Sequence, residues 1–69
     1  MIAKAYGAPY SHEGEVIGSP TTRREARDLA EQNLTTRDQR VRVFWNLTDP
    51  ATVWFFQLDD DGDVDEIET

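Results

Sequence analysis

No cysteine occurs among the 69 residues. That excludes a disulfide framework and any thiolate metal centre. A chain this short buries only about 60% of the surface it exposes when unfolded. Its stability must therefore come from aliphatic and aromatic packing or from a second subunit. Histidine is nearly absent too. The one example, His12, stands beside Ser11 in an expected turn. Adjacent side chains point apart, and no second histidine or cysteine can complete a nucleophile, base and orienter, so His12 reads as a loop residue. Neither Gly14 nor Gly18 is followed by the Lys-Ser/Thr of a phosphate loop. The carboxylates could act in acid–base pairs, but most stand in one hydrophilic run where water keeps them ionised. No catalytic residue, metal ligand or cofactor is expected, and the chain reads as a non-enzyme.

Long apolar runs are missing as well. No stretch approaches the ~20 apolar residues of a membrane span, and the opening MIAKAYGAPY lacks the core of a signal peptide. The expectation is a soluble, cytoplasmic protein with no membrane partner, and the Asn-x-Thr triplets at Asn33 and Asn46 then read as chance. Lysine is the rarest charge: of seven bases, six are arginine and Lys4 is the single lysine. Fourteen acidic residues set the net charge at −7. That argues against nonspecific nucleic-acid binding, which needs a net positive surface to neutralise phosphate.

The charge is segregated along the chain. Residues 1–19 hold Lys4 against Glu13 and Glu15. Residues 20–42 hold six arginines (Arg23, Arg24, Arg27, Arg37, Arg40, Arg42) against four acids. Residues 43–69 hold eight carboxylates and no base.

Periodicity divides the chain into six elements. Residues 1–18 read as a first hairpin, with a strand from Ile2 towards Tyr10, a Glu13-Gly14 turn, and Glu15-Val16-Ile17 returning; Pro9 belongs at an edge or bulge. Residues 22–34 read as a helix. Thr22 followed by Glu25 is a capping box, and Ala26, Leu29, Ala30 and then Asn33 or Leu34 recur at helical spacing. Its narrow stripe of small residues predicts close packing on a sheet. Arg23 and Arg24 oppose the macrodipole in the first turn, by about 0.3–1 kcal/mol each; with Arg27 they form a candidate basic surface for an anionic partner, or no more than a solvated face.

Residues 41–58 form an aromatic hairpin. A turn over Thr48–Ala51, a common loop length, places Leu47 opposite Thr52, Trp45 opposite Trp54, Val43 opposite Phe56 and Val41 opposite Leu58, all on one side of the pleat. That side is the expected core, with a Trp–Trp pair at its centre; the alternative for Trp45 and Trp54 is a stacking platform. On the other side Phe44 faces Phe55, Asn46 faces Val53 and Arg42 faces Gln57. Phe44, Phe55, Val53 and Arg42 are therefore the candidate partner-binding residues, an apolar patch needing cover from the chain's ends, a second copy or a partner.

Residues 59–69 complete the pattern as an Asp61-Gly62 turn with Val64–Glu68 as the returning strand. Asp59, Asp61, Asp63, Asp65 and Glu68 fall at calcium-loop spacing around Gly62. However, Gln57 stands at the opening ligand position and a strand precedes the loop where a helix is required. A solvated hairpin is the preferred reading.

The expected fold is α+β: one small domain of ββαβββ order, one helix on a mostly antiparallel sheet. Three functions fit it. The first is a protein-interaction module, self-associating or docking through the aromatic hairpin. The second is an acidic inhibitor in which Asp59, Asp60, Asp61, Asp63, Asp65, Glu66 and Glu68 imitate nucleic-acid phosphates. The third is weak nucleic-acid binding through the arginine-rich helix and loop.

Overall fold

The computed structural model describes residues 1–6, 14–46, 48–49 and 51–67. Strands β1 (Ile2–Tyr6) and β2 (Glu15–Gly18) pair antiparallel as the expected first hairpin, with Lys4 opposite Val16 and Ala5 opposite Glu15. Pro9, Tyr10, His12 and Glu13 of their connection lie outside the described residues.

Helix α1 (Arg23–Asn33) starts where the capping pattern puts it. The Thr22 hydroxyl accepts from the Glu25 N–H at 3.2 Å. The reciprocal bond differs from the expected box. The Glu25 carboxylate passes over Thr22 and accepts from both the N–H and the hydroxyl of Thr21, each at 2.8 Å. Ala26 and Ala30 are fully buried against the sheet, and with no larger side chain between them the helix lies close. Gly18 permits the same approach at the edge, since a Cβ there would stand 2.8 Å from Leu29 Cδ1. No glycine ends the helix. Leu34 leaves in extended conformation, its N–H still bonded to the Ala30 carbonyl at 2.8 Å, and its side chain drops into the core. The Gln39 side-chain oxygen then accepts from the N–H groups of Thr35 and Thr36 and from the Thr35 hydroxyl, which turns the chain back towards the sheet.

The remaining strands are β3 (Arg40–Phe44), β4 (Thr52–Leu58) and β5 (Val64–Glu66). All five form one antiparallel sheet of order β2-β1-β3-β4-β5. The expected α+β fold of ββαβββ order is the fold observed. The chain's first strand sits inside the sheet because β3, arriving from the helix, pairs along its free edge from Ile2–Phe44 to Tyr6–Arg40. The core lies between sheet and helix: Ala3, Val41, Val43 and Phe56 from the strands meet Ala26, Ala30 and Leu34, with Trp54, Leu58, Ile17, Leu29 and Val64 around them.

The aromatic hairpin departs from its expected register. Val43 faces Trp54, Val41 faces Phe56 and Arg42 faces Phe55, and a bulge follows at Phe44–Thr52. The slip is two residues, so every side chain keeps its face and only its partner changes. The cause is a longer connection. The Asn46 side-chain oxygen accepts from the Thr48 N–H, the Thr48 hydroxyl and the Asp49 N–H, at 3.0, 2.7 and 2.7 Å. This Asx turn ends β3 at Phe44, where a turn over Thr48–Ala51 would have carried the strand on through Asn46. The expected Trp–Trp pair is therefore not formed. Trp54 packs against the core, while Trp45 lies beyond the strand, 57% exposed. Leu47 and Pro50 lie outside the described residues.

Candidate interaction surface

Helix α1 touches all five strands from the same side. The opposite side of the sheet is crossed by no helix or strand of the described residues. Alternation and pairing place on it Val16 from β2, Ile2, Lys4 and the buried Tyr6 from β1, Arg40, Arg42 and Phe44 from β3, Phe55 and Gln57 from β4, and Asp65 from β5.

The expected patch is there in part. Phe55 and Val53 are half-buried, and Phe44 is the correction: only 3% of it is exposed. Ile2 is its cross-strand neighbour and the Arg42 guanidinium lies over its ring, 5.3 Å from the centroid. The Arg42 Nε–H also donates to the Thr52 hydroxyl at 2.6 Å. Arg40 repeats the arrangement over Phe55 at 6.0 Å. The two rings therefore serve as seats for guanidinium groups, a stacking that suits the planar cation. The apolar groups open to water are Val16 at one edge, 56% exposed, and Trp45 at the end of β3.

Sequence reasoning counted Arg42 on this face and passed over Arg40 and Lys4. The signal was available in the alternation of Arg40-Val41-Arg42-Val43 and of Ala3-Lys4-Ala5, which sends every base to the side away from the core. The consequence is unusual. Lys4 and Arg42 are direct cross-strand partners, and like charges so placed destabilise a sheet. Asp65, opposite Gln57, is the one carboxylate that the described strands place on this face.

The other candidate surfaces are partly spent inside the chain. Of the helical bases, Arg23 forms a two-point pair with Glu66, its Nε–H to Oε1 at 2.8 Å and its second guanidinium nitrogen to Oε2. Arg27 donates to the Val64 carbonyl at 3.3 Å. Arg24 is exposed on the first turn. In the turn that closes β4 onto β5, Asp59 directs its carboxylate inward and accepts from the N–H groups of Asp61 and Asp63, each at 2.9 Å. Gly62 takes the left-handed conformation, φ +84°, that an Asp-Gly turn asks for. Asp60 pairs with Arg37 at 2.5 Å, and Asp61, Asp63 and Asp65 are exposed. Glu68 lies outside the described residues. No group of three or more potential metal-binding side chains is assembled among the described residues, and no helix there is long and apolar enough to cross a membrane.

One titration stands out. Glu25 is held below its usual range, chiefly by the Thr21 N–H and then by the Thr21 hydroxyl. Its hydrogen bonds make it a helix cap, and nothing in its geometry sets it towards a substrate. Compared with known proteins, the chain matches no family model, no curated protein and no solved structure.

Proposed function

We propose that this protein is a small non-enzymatic interaction module that binds another protein, or a second copy of itself, with the face of its sheet away from the helix. The observation that carries this reading is that, among the described residues, a single helix packs on one face of the sheet and no helix or strand crosses the other, which carries half-buried Val53 and Phe55 and leads to the exposed Trp45 at the end of β3. Aromatic and arginine side chains are the types that dominate binding energy at protein interfaces. The helical bases and the acidic turn support the reading less, because Arg23, Arg27 and Arg37 already engage Glu66, Val64 and Asp60. The acidic-inhibitor reading loses support for the same reason, with Asp59 occupied in its own turn.

The test combines light scattering with partner capture, using the full chain and a Trp45→Ser, Phe55→Ser double variant. A dimer mass that the double variant abolishes, or a captured partner that it releases, is the expected result. A monomer at low and high salt, with partner capture untouched by the double variant, would clear this face of a binding role.

A further inference from the structure

Helix α1 is sorted by charge across its width. Its bases Arg23 and Arg27 turn towards β5, where they engage Glu66 and the Val64 carbonyl. Its other flank meets the end of β2, and between them runs an open groove of about 320 Å³. Gly18, Pro20 and Leu29 supply the apolar lining, and Glu25, Asp28 and Gln32 stand beside them along the helix. None of the seven bases of the chain lines this groove. We infer that the groove docks a basic segment of a partner protein, an arginine side chain laying its stem on Leu29 and Pro20 and its guanidinium between the Glu25 and Asp28 carboxylates. The site lies on the helix side of the sheet and does not depend on the face proposed above.

Charge and shape carry it together. Glu25 and Asp28 stand three residues apart, so they are neighbours on the helix surface and repel one another. A cation between them removes that cost. One Glu25 carboxylate oxygen is fixed by the Thr21 N–H and hydroxyl, and its partner oxygen accepts no hydrogen bond among the described residues. The Asp28 carboxylate is exposed and forms neither a hydrogen bond nor an ion pair there; Arg24, one turn earlier, is not paired with it. Leu29 is half-buried. Gly18 brings the backbone close on one side of it, and the groove opens on another. Arginine fits both parts of such a site, with an apolar stem to lay on hydrocarbon and a planar fork for carboxylates. The volume is at the lower end of the roughly 300–1,000 Å³ of ligand sites, which suits one or two side chains. The net charge of −7 draws a basic partner in and sets a second copy of the chain against itself.

The experiment follows a labelled peptide alternating Arg with Leu as it binds the full chain, by fluorescence anisotropy and by amide chemical shifts. Asp28→Asn and Asp61→Asn each remove one exposed carboxylate and change the net charge equally, the first in the groove and the second in the turn after β4. Asp28→Asn should weaken binding by about two- to fivefold, the range of an exposed ion pair, and Asp61→Asn by clearly less. In the natural chain, which needs no substitution, the shifts should gather at Gly18, Asp28, Leu29 and Gln32. Equal losses in the two variants, with shifts scattered over the surface, would reduce the attraction to net charge and overturn the inference. Shifts gathered at Trp45 and Phe55 overturn it as well and give the peptide to the other face of the sheet, so this reading can fail while the proposed function stands. A dimer mass that Asp28→Asn abolishes would put a second copy in the groove in place of a different protein. Absence of binding rejects the groove.

Discussion

Single side chains in this protein act mostly by closing local backbone circuits. Glu25, Gln39, Asn46 and Asp59 each accept two or three hydrogen bonds from groups within four residues. They end or begin an element where the orphan groups of a helix or turn would otherwise face water. Glu25 adds a pH signature. Its folded pKa is lowered from 4.5 by the Thr21 bonds. Its contribution is therefore fully present above the unfolded value and is lost as the pH falls through the lowered folded value. Denaturation midpoints of the natural chain and of Glu25→Gln should differ at neutral pH and converge in acid below that range; a constant gap across the titration would remove Glu25 from the cap. Gly62 makes a conformational prediction. At φ +84° nothing obstructs an added Cβ, so Gly62→Ala should cost about 1–2 kcal/mol by backbone strain alone. Urea unfolding measures it, and an unchanged midpoint would mean that the turn relaxes freely.

At the scale of elements, the β3–β4 register decides which groups meet. A shift of two residues preserves faces, and hydrophobic alternation is blind to it. The chain lacks cysteine, so engineered pairs can read the register directly. Arg42→Cys with Phe55→Cys joins cross-strand partners, and both sites lie on the face away from the core. Such partners fall within the Cα separation a disulfide spans, and the pair should oxidise readily. Arg42→Cys with Gln57→Cys, the partners that a turn over Thr48–Ala51 would create, should oxidise poorly. Faster oxidation of the second pair would return the hairpin to the shorter loop. The helix was legible in the sequence from Thr22 to Leu34 because its cap and its apolar period are local signals. The four-residue turn was misjudged because Asn46, which begins the longer Asx turn, also fits an outward position in a strand.

Over the whole molecule, the radius of gyration of 10.8 Å meets the value of about 11 Å for a compact chain of this length. The three-residue β5 packs Val64 against the core and is tied to the helix side by the Arg23–Glu66 ion pair and the Arg27 hydrogen bond to the Val64 carbonyl, with Arg37 paired to Asp60 nearby. The Arg37–Asp60 pair is solvent-exposed and Arg23 is exposed on its side of the other pair, so screening keeps each worth little. Arg23→Ala should cost at most about 1 kcal/mol at low salt, and less as screening increases. Urea unfolding at two ionic strengths tests this; a cost that is independent of salt would assign Arg23 a packing role in place of an electrostatic one.

Local chemistry alone determined much of this protein. Element order, helix limits, the Asp-Gly turn and the sorting of side chains into two faces all follow from interactions between residues close in sequence. The candidate surface was half visible for the same reason: alternation sent Arg42 and Phe55 outward. Tertiary structure alone decided that β1 lies beside β3, which sets Lys4 against Arg42, and that Arg42 covers Phe44 while Trp45 reaches water. It also decided that the acidic end of the chain is tied to the helical arginines. Those outcomes depend on which strand edges meet. Edge pairing is settled by the closing of the sheet around the helix, and backbone groups that hydrogen-bond alike in every register leave no mark of it in the order of residues.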